Sequence, residues 1–183
     1  MSEELIVRHC SPTLAGLKAG SLFSCRCASK KKLTLQIRDL NKKLVPKGLR
    51  ILPLRVWNGR ALIYVCRLSG LAKDFSDGQA QQLLESLGYR PEETNQCIFH
   101  LIQRLQTAQE FPHEVGLFLG YPPADVCAFI ENKACNQKCV GCWKVYGDEE
   151  KAKQTFAQYE ECTERYCQQW KNGESIEHLT KAG

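Results

Sequence analysis

Eleven of the 183 residues in this chain are cysteine, and three of them fall within N-K-A-C-N-Q-K-C-V-G-C-W-K-V-Y-G, residues 132–147. Cys135, Cys139 and Cys142 stand there in a C-x3-C-x2-C spacing. Three thiolates so spaced can hold metal. Cys127 lies eight residues upstream of Cys135 and supplies a fourth thiolate if the chain between them folds back. Four thiolates suit zinc or an iron–sulfur cluster. The pattern lacks the second C-x2-C pair of a zinc ribbon, so packed or surface thiols are the competing reading. Cys25 and Cys27 are placed to share one strand face. Cys162 and Cys167, five apart on a helix at ~100° per residue, fall on different faces.

The same spacing holds the cluster of radical S-adenosylmethionine enzymes, and three observations exclude that assignment. Only 41 residues follow Cys142, whereas that chemistry sits near the start of a large partial barrel. Gly141 stands where an aromatic residue is common. The rest of the chain does not read as repeated βα units.

A second place for chemistry is His9-Cys10-Ser11-Pro12. Ser11 and Pro12 read as the cap and first residue of a short helix running to about Ala19. A thiol just before a helix is pushed toward thiolate by the unsatisfied amides and the helix dipole. With His113 ahead of an apolar run, Cys10 gives the layout of a papain-like thiol hydrolase or transferase. His9 is less useful, because neighbours in an extended segment point apart. His100 falls on an amphipathic helix face. The third candidate is the Gly-Tyr-Pro-Pro turn of residues 117–125, where free amides at a helix start can receive an anion. Lys144 or the basic segment would add charge, although the glycines of a phosphate loop are missing.

Composition sets the frame for these sites. Hydrophobic residues make up 43% and charged residues 25% of the chain, with a net charge of +5, the balance of a folded globular protein. The start, M-S-E-E-L-I-V-R-H, lacks the apolar run of a signal peptide. No segment approaches the ~20 apolar residues of a membrane span. A cytoplasmic location, with reduced thiols and no membrane partner, is therefore expected. Between residues 26 and 60 eleven Lys or Arg face a single acid, Asp39. That face can be a solvated surface, or it can meet an acidic partner. Without an aromatic platform beside it, nucleic acid is not expected.

The elements follow from periodicity and punctuation. Ser29 caps a helix whose Leu33, Ile37, Leu40 and Leu44 share a face, ending at Pro46-Lys47-Gly48. Residues 49–56 and 61–68 are β-rich runs around Asn58-Gly59, a hairpin signal. Pro53 has no N–H, so its strand must be an edge or carry a bulge. Helices are expected over 77–87 and 91–106, the first ended by Gly88. A buried strand is expected over 115–119, and a helix from Pro123 carries Val126, Phe129 and Ile130. Residues 143–146 read as a short strand. Asp148 caps a long helix with Ala152, Phe156, Tyr159, Thr163, Tyr166 and Trp170 inward. Together these predict an α/β fold, with an α+β variant as the alternative. One domain over 1–172 would hold a mixed sheet of about four strands including the hairpin, covered by helices, before a polar tail over 173–183.

Three stretches carry a family resemblance: H-C-S-P-T-L-A-G-L-K (His9 to Lys18), H-E-V-G-L-F-L-G-Y-P-P-A-D-V (His113 to Val126) and G-C-W-K-V-Y-G-D (Gly141 to Asp148). In these the chain resembles an uncharacterised bacterial family of clostridial-type anaerobes, domain of unknown function 3793. The positions that match are His9, Cys10, His113, Gly120, Tyr121, Pro122, Trp143, Lys144 and Tyr146. The resemblance implies a place in iron- or thiol-linked metabolism and a flavodoxin-like acidic protein as partner. The leading reading is a small-molecule or metal-ion binder whose cleft is lined by His9, Gly120, Tyr121, Trp143, Lys144 and Tyr146. The thiol hydrolase and a module binding an acidic partner through the basic face are the alternatives.

Overall fold

In the computed structural model, which describes residues 1–107 and 110–182, Asn58 and Gly59 take left-handed φ values of 43° and 72°. Two such residues form the turn whose twist matches antiparallel strands, and they join β2 (Leu49–Trp57) to β3 (Arg60–Arg67). β1 (Gly20–Arg26) pairs with the other side of β3, giving an antiparallel sheet in the order β1-β3-β2. Pro53 therefore lies on an edge strand, and the register also shifts between Pro53 and Arg55. Asn41 closes part of this edge: its side-chain amide exchanges two 2.8 Å hydrogen bonds with the backbone of Ile51.

Alternation aims Ala61, Ile63 and Val65 of β3 to one face, opposite Phe23, Cys25 and Ile51 on the neighbouring strands. α1 (Glu3–Leu14) and α2 (Lys30–Leu44) contribute to the same buried cluster. Ser29 caps α2, and Leu33, Ile37, Leu40 and Leu44 are its buried stripe. Cys25 and Cys27 both turn into this core. The first helix starts earlier than Ser11-Pro12 suggests: Ser2 caps it, Glu3 and Glu4 occupy its first turn, and Pro12 lies inside. A serine cap followed by acids is itself a helix-start signal. Ser11 donates its hydroxyl proton to the carbonyl of Val7 within this helix.

Within this α/β chain the described residues gather into two compact units. Unit 1 comprises Met1–Leu71 and Cys162–Gly183, and unit 2 is Ala72–Glu161. The chain passes between them within α3 (Leu68–Phe75) and α8 (Glu149–Lys171). The end of the chain is not a loose polar tail. α9 (Ile176–Leu179) buries Ile176 and Leu179 in the unit 1 cluster. Arg67 holds it there: Nε donates to Thr13 O at 2.7 Å, Nη1 to Lys47 O at 3.2 Å, and Nη2 to Leu14 O and Lys181 O at 2.7 and 2.8 Å. Lys47 adds bonds to the carbonyls of Glu177 and Thr180.

Unit 2 holds α4 (Gly78–Ser86), capped by Asp77, and α5 (Thr94–Thr107), with Cys97, Ile98, Leu101 and Leu105 buried. α6 (Val115–Phe118), α7 (Pro123–Glu131) and a two-stranded hairpin, β4 (Cys139–Val140) with β5 (Lys144–Val145), complete it before α8. The expected strand over 115–119 is thus a helical turn. Leu119 N–H returns to Val115 O at 3.0 Å, and a short apolar run does not by its pattern distinguish the two states. With that strand gone, every sheet pairing among the described residues is antiparallel.

Candidate functional site

Close packing of α6 on α7 starts from Gly116. A Cβ there would meet Val126 Cγ2 at 2.8 Å, so only glycine lets the two turns approach. Gly120, at φ 69°, reverses the chain after α6, and Pro123 begins α7 with its missing N–H at a position that needs none. Glu114 fixes the entrance to this segment. Its buried carboxylate accepts from Tyr89 OH at 2.8 Å and from Arg104 Nε at 2.6 Å. Burial first, then the Glu114 charge and hydrogen bond, push the Tyr89 phenol well above its usual range.

Asp125, in the first turn of α7, organises the hairpin. Trp143 Nε1 donates to its Oδ2 at 2.7 Å, and the amides of Tyr146 and Gly147 donate to Oδ1 at 2.8 and 2.7 Å. The carboxylate is 4% exposed, so these three donors replace its hydration. A hairpin with two-residue strands is marginal alone, and this one is tied at several points. Gly141 N–H donates to Trp143 O at 3.0 Å, Lys138 Nζ to Gly147 O at 2.7 Å, and Lys144 Nζ to Ala134 O at 2.6 Å. Ala134 itself has φ 61°, between Lys133 at 48° and Asn136 at 64°. Such left-handed conformations are costly away from glycine, and the lysine bond helps hold this loop.

A pocket of about 310 Å³ opens in unit 2, lined by side chains of α6, α7, the hairpin and the segment before α6. Tyr121 and Trp143 lie with ring centres 5.1 Å apart, and Trp143 meets Phe156 edge-on at 4.5 Å. His113 sets its ring edgewise to Phe129 at 5.1 Å, and Lys144 Nζ stands 6.0 Å from the same ring. Phe111 and Val140, 47% and 64% exposed, also line the opening. Gly141 is a consequence of this packing: a Cβ there would fall 2.2 Å from the Phe156 ring.

The pocket brings together four of the residues singled out from sequence: His113, Tyr121, Trp143 and Lys144. Gly120 shapes the turn beside them, and Tyr146 contributes its amide to Asp125. His9 and Cys10 belong to unit 1. His9 is stacked on Phe23 with ring centres 5.3 Å apart. Cys10 is fully buried inside α1, not ahead of a helix, and burial pushes its thiol up to about 12. The helix terminus on which its expected reactivity rested is therefore elsewhere, at Ser2. The anion expected at the Gly-Tyr-Pro-Pro turn has a resident counterpart, the Asp125 carboxylate in the first turn of α7.

The expected thiolate centre is not assembled. Cys127 is on α7, Cys135 in the loop after it, Cys139 on β4 and Cys142 in the hairpin turn. Among the described residues no group of three or more Cys, His, Asp or Glu side chains is placed to hold a metal ion. Burial, then Glu131 and Asp77, push the Cys127 thiol up, against the thiolate that zinc or an iron–sulfur cluster requires. All eleven cysteines are thiols.

Sequence reading assigns no site role to Asp125, Phe129 or Gly116. An acid placed just inside an apolar helix that starts Pro-Pro was the available signal for Asp125. Its three donors lie 18 to 22 positions away and carry no pattern.

The fold and pocket define a helix-rich α/β protein with an aromatic-walled cavity in one unit. Among the described residues, no helix is long and apolar enough to cross a membrane. The chain belongs to the family described as protein of unknown function (DUF3793), whose family model matches residues 6–180. Comparison with curated proteins and with solved structures finds no match.

Proposed function

We propose that this protein binds a small molecule in the unit 2 pocket. The observation that carries the reading is the cavity itself, with walls of Tyr121, Phe129 and Trp143 and exposed apolar side chains, Phe111 and Val140, at its opening. A concave site of mostly apolar walls with a few placed polar groups is the usual form of a small-molecule site. Exposed apolar side chains next to it give an entering ligand further surface to cover. Asp125 is not the group that acts on the ligand, because its oxygens are engaged by the hairpin. It holds Trp143 in place as part of the wall.

The test uses N-phenyl-1-naphthylamine, a neutral apolar fluorophore. Saturable binding at one site per chain is expected. Phe129→Ala should weaken it about tenfold, the loss of one aromatic wall contact. Val140→Asp, which puts a carboxylate at the opening of an apolar pocket, should weaken it comparably. Binding that does not saturate, or that neither substitution changes, would overturn the reading.

A further inference from the structure

We infer that the molecule taken by this pocket has a flat apolar body bearing an anionic group, and that Lys144 receives the anion. The inference rests on the small-molecule reading and sharpens it. The two charged side chains of the lining differ in what they have left to offer. Asp125 accepts three hydrogen bonds, two on Oδ1 and one on Oδ2, so its acceptor capacity is largely used by the protein. Lys144 makes one hydrogen bond among the described residues, to Ala134 O at 2.6 Å. An ammonium has three donors, so two remain. No carboxylate among the described residues lies within ion-pair distance of it. The exposed side chain of His113 lies on the lining beside the Phe129 ring. Of the two charged groups on the lining, the cation has donors to spare and the anion is largely engaged.

Geometry supplies the rest of the specification. Lys144 Nζ stands 6.0 Å from the centre of the Phe129 ring, so charge and aromatic face are presented together. The lining also holds the Trp143–Tyr121 pair. A planar ring lying against these faces while its acidic substituent meets the ammonium satisfies both at once. An aliphatic ligand would gain less from contact with these rings than a planar aromatic one. A cationic one would meet like charge at the ammonium.

The experiment is displacement of bound N-phenyl-1-naphthylamine by 2-naphthoate and by 2-naphthamide, which share a body and differ in charge. On the wild-type protein, naphthoate should displace at about one-tenth the concentration needed by naphthamide, and added salt should shrink the difference. Lys144→Met should remove the preference for naphthoate, with a cooperative urea transition showing that the variant is folded. Lys144→Arg should restore it. Equal displacement by the two competitors on wild type, or a preference that survives Lys144→Met, overturns the inference and leaves the pocket reading standing. Failure of the fluorophore to bind at all removes both.

Discussion

Arg67 in unit 1 and Asp125 in unit 2 are opposite in charge and similar in construction. Each is buried, 6% and 4% exposed, and neither has an ion-pair partner among the described residues. Arg67 is bonded to four carbonyls and Asp125 to two amides and an indole N–H. Backbone dipoles, fixed by the fold, replace water around both. The surroundings then differ. Arg67 joins the end of α1, the turn after α2 and the final residues of the chain, and serves as a scaffold. Asp125 joins α7 to a hairpin that would otherwise be marginal, and one of its donors, Trp143, is a wall of the pocket. A buried charge satisfied by backbone can close a core or hold a cavity open. Which it does depends on whether its partners themselves face a space.

Breaking the first hub should have the largest effect. Arg67→Met removes a donor from the carbonyls of Thr13, Leu14, Lys47 and Lys181, of which the first two keep the N–H of Gly16 and of Lys181. The expected loss is about 3 kcal/mol or more in urea-monitored stability. Arg67→Lys should recover only part of it, because one ammonium does not span the fork of the guanidinium. A full recovery by lysine would show that charge, not the planar geometry, holds these segments.

The second hub should cost less and show a different signature. Asp125→Asn keeps an oxygen for the Tyr146 and Gly147 amides and turns an NH2 group toward Trp143 Nε1–H, donor against donor. About 2 kcal/mol of destabilisation is expected. It should come with a shift in Trp143 emission, read in a background carrying Trp57→Phe and Trp170→Phe. An unchanged emission spectrum would mean that the indole bond does not place Trp143, and the contrast between scaffold and pocket hub would fail.

An effect confined to alkaline solution, and absent near neutral pH, concerns the buried thiols of unit 1. Burial pushes both Cys10 and Cys66 up to about 12, from an ordinary value near 9. The folded state thus keeps protons that the unfolded chain releases first. Their contribution to stability is whole below about pH 9 and is lost as pH rises from 9 toward 12. The urea midpoint should fall over that range, and less steeply in a Cys10→Ala, Cys66→Ala variant. Iodoacetamide near neutral pH should modify the exposed Cys135 and Cys142 and spare Cys10 and Cys66. Alkylation of Cys10 at a rate matching Cys135 would sink this account and return Cys10 to consideration as a nucleophile.

Local chemistry made much of the fold legible. Asn58-Gly59 gave the hairpin because the turn it favours is encoded in two adjacent residues. Pro53 announced an edge or a bulge because it lacks an N–H, and the α2 stripe declared itself through its period. The misreadings occur where local signals tie. The apolar run over 115–119 fits a buried strand or a buried helical turn equally, and Gly116 meeting Val126 decides for the turn. Ser11-Pro12 resembles a helix start, yet Ser2 with Glu3 and Glu4 provides the earlier one. The pocket was half legible: Tyr121, Trp143 and Lys144 were singled out, whereas Asp125, which positions Trp143, was not.

What the sequence determined by itself is the chain's punctuation and its α/β class. These rest on spacings of a few residues, where backbone sterics and periodicity act directly. The tertiary structure alone decided that Cys10 is core, that the cysteines of 127–142 form no group of three or more placed to hold a metal ion among the described residues, and that Arg67 and Asp125 are hubs. Each of those outcomes depends on groups 18 to 114 positions apart or on burial, and burial is a property of the packed chain. Charge asks for partners, but only packing says whether water, backbone or a ligand supplies them.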